Sequence, residues 1–174
     1  MSDKIVSIFG TGKAGPGDPA YDVAEEVGRL LARAGYTIAN GGYGGTMRAA
    51  AKGAAEVGGE IIGVTCSAFA GSKANEYVTR EIATGSLDER LDTLVQLGRA
   101  YVVLPGGTGT LLELAKVWEL KNKGFLEVDR PIILVGEFWK PLVNLIVGED
   151  PGGKHYVDFA AEPGRVVDLV AGCS

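Results

Sequence analysis

Histidine and cysteine are scarce in this chain of 174 residues, which contains one histidine and two cysteines. His155 lies far from every glycine motif, so we expect neither a metal site built on several histidines nor a Ser-His mechanism. Cys66 and Cys173 lack the spacing of metal-binding or redox motifs, which predicts reduced thiols in a cytoplasmic protein. We therefore expect no metal.

Basic patches and long apolar runs are also missing. The chain has 17 Lys and Arg against 22 Asp and Glu, a net charge of −5, so we expect no nucleic-acid or membrane partner. No apolar run approaches the roughly 18 residues of a membrane span, and residues 1–4 lack a signal-peptide pattern. The length predicts one domain, residues 1–174, with a sizeable core.

Strand-like and helix-like segments alternate, which predicts an α/β fold of the Rossmann-like, doubly wound class, with a mainly parallel sheet and helices on both faces. Residues 67–85 are the least regular stretch and predict a surface loop with a short strand near 77–79, and 149–154 predict a further loop. The predicted strands are 4–9, 36–40, 61–65, 100–104 and 131–135. The predicted helices are 18–34, 44–57, 86–98, one ending near 123, and 137–147, with a helix or short strand at 166–170.

The strongest functional signal is the stretch Pro105-Gly-Gly-Thr-Gly-Thr-Leu-Leu-Glu113, which follows an apolar run and opens a helical pattern. Glycines let the backbone approach a phosphate closely. The unpaired N–H groups and the positive dipole end of a helix bind anions. The predicted phosphate site consists of Gly106, Gly107, Thr108, Gly109 and Thr110.

Glu113 has two interpretations. Thr110 and Glu113 have the spacing of a capping box, in which the glutamate accepts a hydrogen bond from a backbone N–H. Alternatively, Glu113 faces the reacting end of a nucleotide whose phosphate lies at the start of the helix. The local sequence leaves both interpretations open.

A second glycine cluster, residues 41–47, also follows a predicted strand and opens a helix. A tight turn alone would explain it, but two such turns at the carboxyl ends of neighbouring parallel strands predict a ligand crevice. Arg48, in the first turn of this helix, is placed either to reach a phosphate or to be solvated. The predicted binding residues are Gly41, Gly42, Gly44, Gly45 and Thr46.

Residues 10–15 formally match the G-x-G-x-x-G pattern of dinucleotide-binding folds. The helix starts too late, at Pro19, and no acidic residue follows Asn40 to bind a ribose, so NAD(P) binding is not expected. Pyridoxal phosphate is not expected either, because the enzymes that use it need a Schiff-base lysine on a much larger scaffold. None of Lys52, Lys116 and Lys121 sits beside the glycine loops. We therefore predict no cofactor.

In this order along the chain, the motifs resemble those of the LOG-like family, also labelled possible lysine decarboxylases. Residues 105–113 are similar to its PGGxGTxxE signature, and residues 41–47 are similar to its glycine cluster. Glu89 and Arg90 resemble its Glu-Arg pair on the helix before the signature strand. The resemblance extends over residues 5–147 and more weakly to the C-terminus.

The best-understood LOG-like proteins resemble cytokinin-activating phosphoribohydrolases, which cleave the base from a nucleoside 5′-monophosphate. The resemblance implies that Glu113 faces the ribose and acts in cleavage of the N-glycosidic bond. It implies that Arg90, otherwise an ordinary exposed helix arginine, contacts the nucleotide. It places Gly10, Thr11 and Lys13 in a loop that faces the base or ribose.

The resemblance also implies a homodimer or higher homo-oligomer, a common state of soluble proteins. Apolar positions on two predicted helices are expected to supply the contact surface: Leu87, Leu91, Leu94, Val95, Leu112, Val117 and Trp118.

The chain departs from the family pattern at three positions. Asp88 stands where the family has histidine, Leu91 where it has lysine, and Arg48 where it has glycine. The missing cation at Leu91 bears on substrate identity and on catalysis. Related folds also resemble molybdenum-cofactor carriers, and fold alone does not fix function. A non-catalytic carrier of a nucleotide or phosphorylated cofactor is therefore the alternative.

Overall fold

The computed structural model describes residues 4–71 and 73–172, in which seven strands form one sheet. Cys173 lies outside the described residues. The strands are β1 (Ile5–Phe9), β2 (Thr37–Asn40), β3 (Ile61–Cys66), β4 (Arg80–Thr84), β5 (Ala100–Val103), β6 (Ile132–Val135) and β7 (Val157–Ala160). The helices are α1 (Pro19–Arg33), α2 (Thr46–Ala55), α3 (Leu87–Leu97), α4 (Thr108–Asn122), α5 (Lys140–Glu149) and α6 (Pro163–Ala171), with a 3-10 helix at Pro151–Tyr156.

The strand order is β4-β3-β2-β1-β5-β6-β7, and neighbouring strands are parallel. The chain builds outward from β1 to β4 and then returns to the other side of β1 for β5. In such sheets, ligands bind beyond the carboxyl ends of the strands where the direction reverses. The loops after β1 and β5 flank this point.

Helices cover both faces of the sheet, which confirms the predicted fold class. Helices α1, α2 and α6 pack on one face through residues such as Val27, Ala50 and Val166. Helices α3, α4 and α5 pack on the other through residues such as Leu94 and Leu114. Inner strands such as β5 are buried throughout, as expected for a parallel sheet covered on both faces.

Some predicted elements need correction. The strand predicted near 77–79 begins at Arg80, and its mostly exposed side chains at the sheet edge give little apolar signal. The short edge strand β7 was not predicted. Residues 166–170 are helical, within α6, and most of the loop predicted at 149–154 lies in the 3-10 helix. In the part of the chain that the structure describes, no helix is long and apolar enough to cross a membrane.

Most apolar positions expected to form an oligomer contact lie in the core instead. They occupy the stripes of α3 and α4 that face the sheet, where helical spacing places them. The buried ones are Leu91, Leu94, Val95, Val117 and Trp118. Leu87 and Leu112 remain exposed, at 45% and 43% of their surface.

Candidate functional site

The three glycine motifs form one continuous rim at the carboxyl edge of the sheet. The loop after β2 is bonded to the loop after β1, because the Thr46 backbone N–H and hydroxyl both donate to the Thr11 carbonyl, at 2.9 and 3.1 Å. The loop after β5 is held by Leu104, whose N–H donates to the Phe9 carbonyl at 2.9 Å. The Leu104 carbonyl accepts a hydrogen bond from the Trp139 indole N–H at 3.0 Å.

The predicted phosphate loop is open to solvent. Helix α4 begins at Thr108, with Gly107 as N-cap and no side-chain cap, so its first N–H groups are available to an anion. Gly107, Thr108 and Gly109 are exposed. Thr110 is only 3% exposed, and a Cβ at Gly106 would overlap its hydroxyl. The Thr110 side chain therefore supports the loop from beneath.

Glu113 lies more than one turn into α4 and does not cap it. The capping-box interpretation is wrong because the helix starts at Thr108, too early for Glu113 to reach the unpaired N–H groups. The side chain is 14% exposed, and its Oε1 lies 4.0 Å from Nη1 of Arg90. Burial raises the pKa of the Glu113 carboxyl to about 7, although the Arg90 guanidinium acts in the opposite direction.

Arg90 is buried, with 8% of its surface exposed, so its interpretation as an ordinary exposed helix arginine is wrong. Its Nε donates to the Val64 carbonyl at 2.8 Å. Its guanidinium carbon lies 5.4 Å from the centre of the Tyr43 ring and 5.9 Å from that of Phe69. A Cβ at Gly41 would overlap Nη2. Glycine is thus required at 41 for Arg90 to occupy this place.

Hydrogen bonds at the N-terminus of α3 fix where the helix begins, and so fix the position of Arg90 within it. The Ser86 hydroxyl accepts the Glu89 N–H at 3.1 Å, and the Glu89 carboxylate accepts the Gly85 N–H at 2.7 Å. Ser86 is therefore the N-cap of α3, and the Glu89 carboxylate binds the N–H of the residue before the cap. Glu89 therefore acts on the helix end, whereas its neighbour Arg90 turns inward to Glu113.

The departures from the LOG-like pattern do not add a cation to the site. Leu91 is 5% exposed and packs in the core, and Asp88 is exposed. Arg48 is closer to the solvated interpretation, because its side chain is 34% exposed, pairs at the surface with the Glu76 carboxylate and donates to the Tyr21 hydroxyl at 3.0 Å. The carboxylate of Glu76, before β4, therefore neutralises the charge of Arg48.

Two asparagines that sequence reasoning missed brace the second glycine loop. The Asn40 amide accepts the Gly42 N–H at 2.8 Å and donates to the Met47 carbonyl at 3.0 Å. The Asn75 side chain donates to the carbonyls of Gly42 and Tyr43, at 3.1 and 2.9 Å. Asparagine at a strand end before glycine is a recognisable turn signal, so Asn40 was detectable. Asn75 lies in the irregular stretch 67–85, which has no sequence pattern that would have indicated its role.

The remaining predicted ligand residues line the same rim, and their contact with a ligand stays a prediction. Gly10 is half-buried at the end of β1. The Thr11 hydroxyl oxygen accepts the Lys13 N–H at 3.1 Å, and the Lys13 side chain is exposed. In the second loop Gly44 is exposed. Gly41, Gly42, Gly45 and Thr46 are buried.

The glycine loops and the buried Glu113–Arg90 pair lie in the segment that a protein-family model recognises. The SLOG cluster4 model matches residues 3–140. The chain belongs to the SLOG cluster4 family. This membership confirms the LOG-like resemblance seen in the three motifs.

Relatives of this SLOG cluster4 protein include an enzyme. A cytokinin riboside 5′-monophosphate phosphoribohydrolase from Rhodococcoides fascians is 29% identical over 148 residues, which cover 82% of this chain and 74% of the relative.

Solved structures similar to this SLOG cluster4 protein include binding proteins. The molybdenum cofactor binding protein of the phototrophic bacterium Rippkaea orientalis is 25% identical, with a TM-score of 0.81 over 99% of this chain and 98% of that one. The molybdenum cofactor carrier protein of Chlamydomonas reinhardtii is 27% identical, with a TM-score of 0.79 over 98% of this chain and 97% of that one. The shared fold therefore supports both catalysis and binding among relatives.

Proposed function

We propose that this protein is a nucleoside 5′-monophosphate phosphoribohydrolase, which hydrolyses the N-glycosidic bond to give free base and ribose 5-phosphate. The observation that carries the proposal is the Glu113–Arg90 pair, 4.0 Å apart, on the two helices that flank the signature strand. A buried carboxylate on the same helix as an open anion site suits a substrate with a phosphate at one end. The name of the Rhodococcoides fascians relative supports the same activity.

The phosphate would bind the first N–H groups of α4, with help from the exposed Thr108 hydroxyl. Departure of the base builds positive charge on the ribose, which the ionised Glu113 carboxylate would stabilise. Water attacks the ribose carbon as the carbon–nitrogen bond breaks. Its proton passes to Glu113 and then to the leaving nitrogen. A pKa of about 7 suits this base, because proton transfer is most efficient near the working pH.

Arg90 would position the nucleotide. Among the described residues its hydrogen bond is made through Nε, to Val64, so the N–H groups of Nη1 and Nη2 are available to substrate oxygens. A guanidinium already fixed by packing loses little freedom when it binds. Substrate contact at Arg90 would therefore bring the ribose beside Glu113.

The test is release of free base from a purine nucleoside 5′-monophosphate, compared with the unphosphorylated nucleoside. We expect cleavage of the monophosphate only, because the nucleoside has no phosphate to bind at the anion site. Equal rates on both substrates would contradict the proposal. Tight binding of the monophosphate without turnover would favour the second candidate.

That second candidate is a carrier of a nucleotide or phosphorylated cofactor. It is favoured by the two molybdenum-cofactor proteins, whose structures match nearly the whole chain, and by Leu91, which supplies no cation. In this case the open loop at α4 would hold the phosphate, and the Glu113–Arg90 pair would contact the ligand without cleaving it.

We also infer a cytoplasmic homodimer or higher homo-oligomer. Exposed apolar side chains of α4 and α5, including Leu111 and Ile146, border a cavity of about 240 Å³ lined also by Trp118 and Leu142. A second copy packed two-fold on this face would cover it. The buried free thiol of Cys66 fits a reducing compartment. A monomer by light scattering at micromolar concentration would contradict the oligomer.

A further inference from the structure

Phe69 places an aromatic ring at the mouth of the site. It follows β3 and is 39% exposed, although a ring of this size is usually buried. Its ring centre lies 5.9 Å from that of Tyr43, at an angle of 49°, and 5.9 Å from the Arg90 guanidinium carbon. One side of the ring therefore packs on the site, and part of it remains open to a ligand.

The backbone around this ring is held in place. The Phe69 N–H donates to the Cys66 carbonyl at 3.1 Å, and the Ser67 N–H donates to the Thr84 carbonyl at 2.9 Å. The Tyr43 hydroxyl oxygen accepts the Cys66 N–H at 2.7 Å, which fixes the neighbouring ring. Hydrogen bonds therefore hold the Tyr43 ring and the backbone that carries Phe69, which limits the freedom lost when a ligand binds.

The strand order sets the direction of a bound nucleotide. Along the carboxyl edge of the sheet come the loops after β5, β1, β2 and β3, with the phosphate loop at one end and Phe69 at the other. Glu113 and Arg90 lie between them, on α4 and α3. A nucleotide with its phosphate on α4 and its glycosidic bond at Glu113 therefore extends its base towards Arg90 and Phe69.

We propose that Phe69 is the stacking platform for the nucleobase, with Tyr43 as the ring that supports it. This inference rests on the proposed function and assigns the part of the site that binds the base. Stacking uses the π-face that every base has. The platform should therefore bind any base, whatever its identity. Nucleoside monophosphates with different bases should thus be acceptable ligands.

The experiment compares binding of AMP and of ribose 5-phosphate by calorimetry, in wild type, Phe69→Ala, Phe69→Leu and Phe69→Trp. Loss of one base–aromatic stack should weaken AMP binding by about tenfold or more in the Ala and Leu variants. Ribose 5-phosphate, which has no base, should bind unchanged, and Phe69→Trp should retain AMP affinity. Phe69→Leu keeps apolar bulk against Tyr43, so it separates loss of the ring from loss of packing.

Phe125→Ala is the matched control. Phe125 is 77% exposed and follows the distant end of α4, so its loss should leave both affinities unchanged. Unchanged AMP binding in a folded Phe69→Ala protein would overturn the proposal. Equal weakening for AMP and ribose 5-phosphate would also overturn it, because Phe69 would then act only through Arg90.

Failure of the platform and failure of the proposed hydrolysis give different results. A wild type that binds AMP without cleaving it, with the expected loss in Phe69→Ala, supports the platform and contradicts the hydrolase. A wild type that cleaves AMP, with no loss in the variants, contradicts the platform alone. A wild type that binds no monophosphate contradicts both.

Discussion

The Glu113 carboxylate and the Arg90 guanidinium approach to 4.0 Å between α4 and α3, at the outer limit of an ion pair. Burial opposes ionisation of the carboxylate and the guanidinium favours it, and burial has the larger effect, because the pKa of Glu113 is raised to about 7. The pair therefore holds a carboxylate that changes its charge near neutral pH, which is the property required of a catalytic base.

The first prediction concerns the pH dependence of hydrolysis. Because Glu113 must be ionised to act, the rate should rise through about pH 7. Arg90→Gln removes the positive charge that lowers this pKa, so the rise should move to higher pH in addition to any loss of rate. The measurement is the pH–rate profile of both proteins with a nucleoside monophosphate.

Arg99→Gln is the control for that profile. Arg99 is an exposed arginine between α3 and β5, and its partner is Asp129, at 3.9 Å. The Arg99→Gln variant should have the same pH midpoint in its pH–rate profile as the wild type. A midpoint that stays in place in Arg90→Gln would show that Arg90 does not act on the charge of Glu113.

The second prediction concerns stability. The folded protein holds the Glu113 proton more tightly than the unfolded chain, whose carboxyl has its ordinary pKa. Stability should therefore fall as pH rises between the two pKa values. Glu113→Gln removes this effect, so its free energy of unfolding relative to wild type should increase between pH 5 and 8, by at most about 3 kcal/mol. Denaturant unfolding at both pH values measures the difference, and a constant difference would contradict the raised pKa.

The third prediction concerns Gly41. A methyl group at this position would overlap Nη2 of Arg90, so Gly41→Ala should displace the guanidinium. Because the guanidinium is the end of a flexible side chain, the protein should still fold. Substrate affinity and turnover should both fall by about tenfold or more, as expected when a charged hydrogen-bonding group is lost.

Gly164→Ala is the matched control for Gly41→Ala. Among the described residues, no atom beyond the chain neighbours and the backbone of the helix itself lies within 4 Å of a Cβ built at Gly164, in the first turn of α6. This substitution should leave hydrolysis unchanged. If Gly41→Ala also kept wild-type kinetics, the position of Arg90 would not matter for the reaction.

The positions of the glycine loops at the strand ends could be predicted from the sequence, because such loops are local features. Gly106, Thr108 and Gly41 all lie where the motifs place them. The doubly wound fold follows from the alternation of elements, although β4 and β7 were displaced or missed because short edge strands carry little apolar pattern.

The inner contacts of the site were not predictable. Arg90 is buried because Val64, Tyr43 and Phe69, which are distant in sequence, meet around it. The raised pKa of Glu113 depends on the same long-range packing. The local sequence left a capping role for Glu113 open beside the functional one, and the start of α4 at Thr108 excludes the capping role.

The most direct test of the account is the paired measurement of monophosphate hydrolysis and monophosphate affinity in wild type and Glu113→Gln, with thermal unfolding as the folding control. Glutamine keeps the shape of the side chain and removes its charge and its basicity. We expect hydrolysis to fall by about a hundredfold or more, whereas affinity should change little, because the phosphate would bind backbone N–H groups and Thr108. Unchanged hydrolysis in a well-folded Glu113→Gln protein would contradict it.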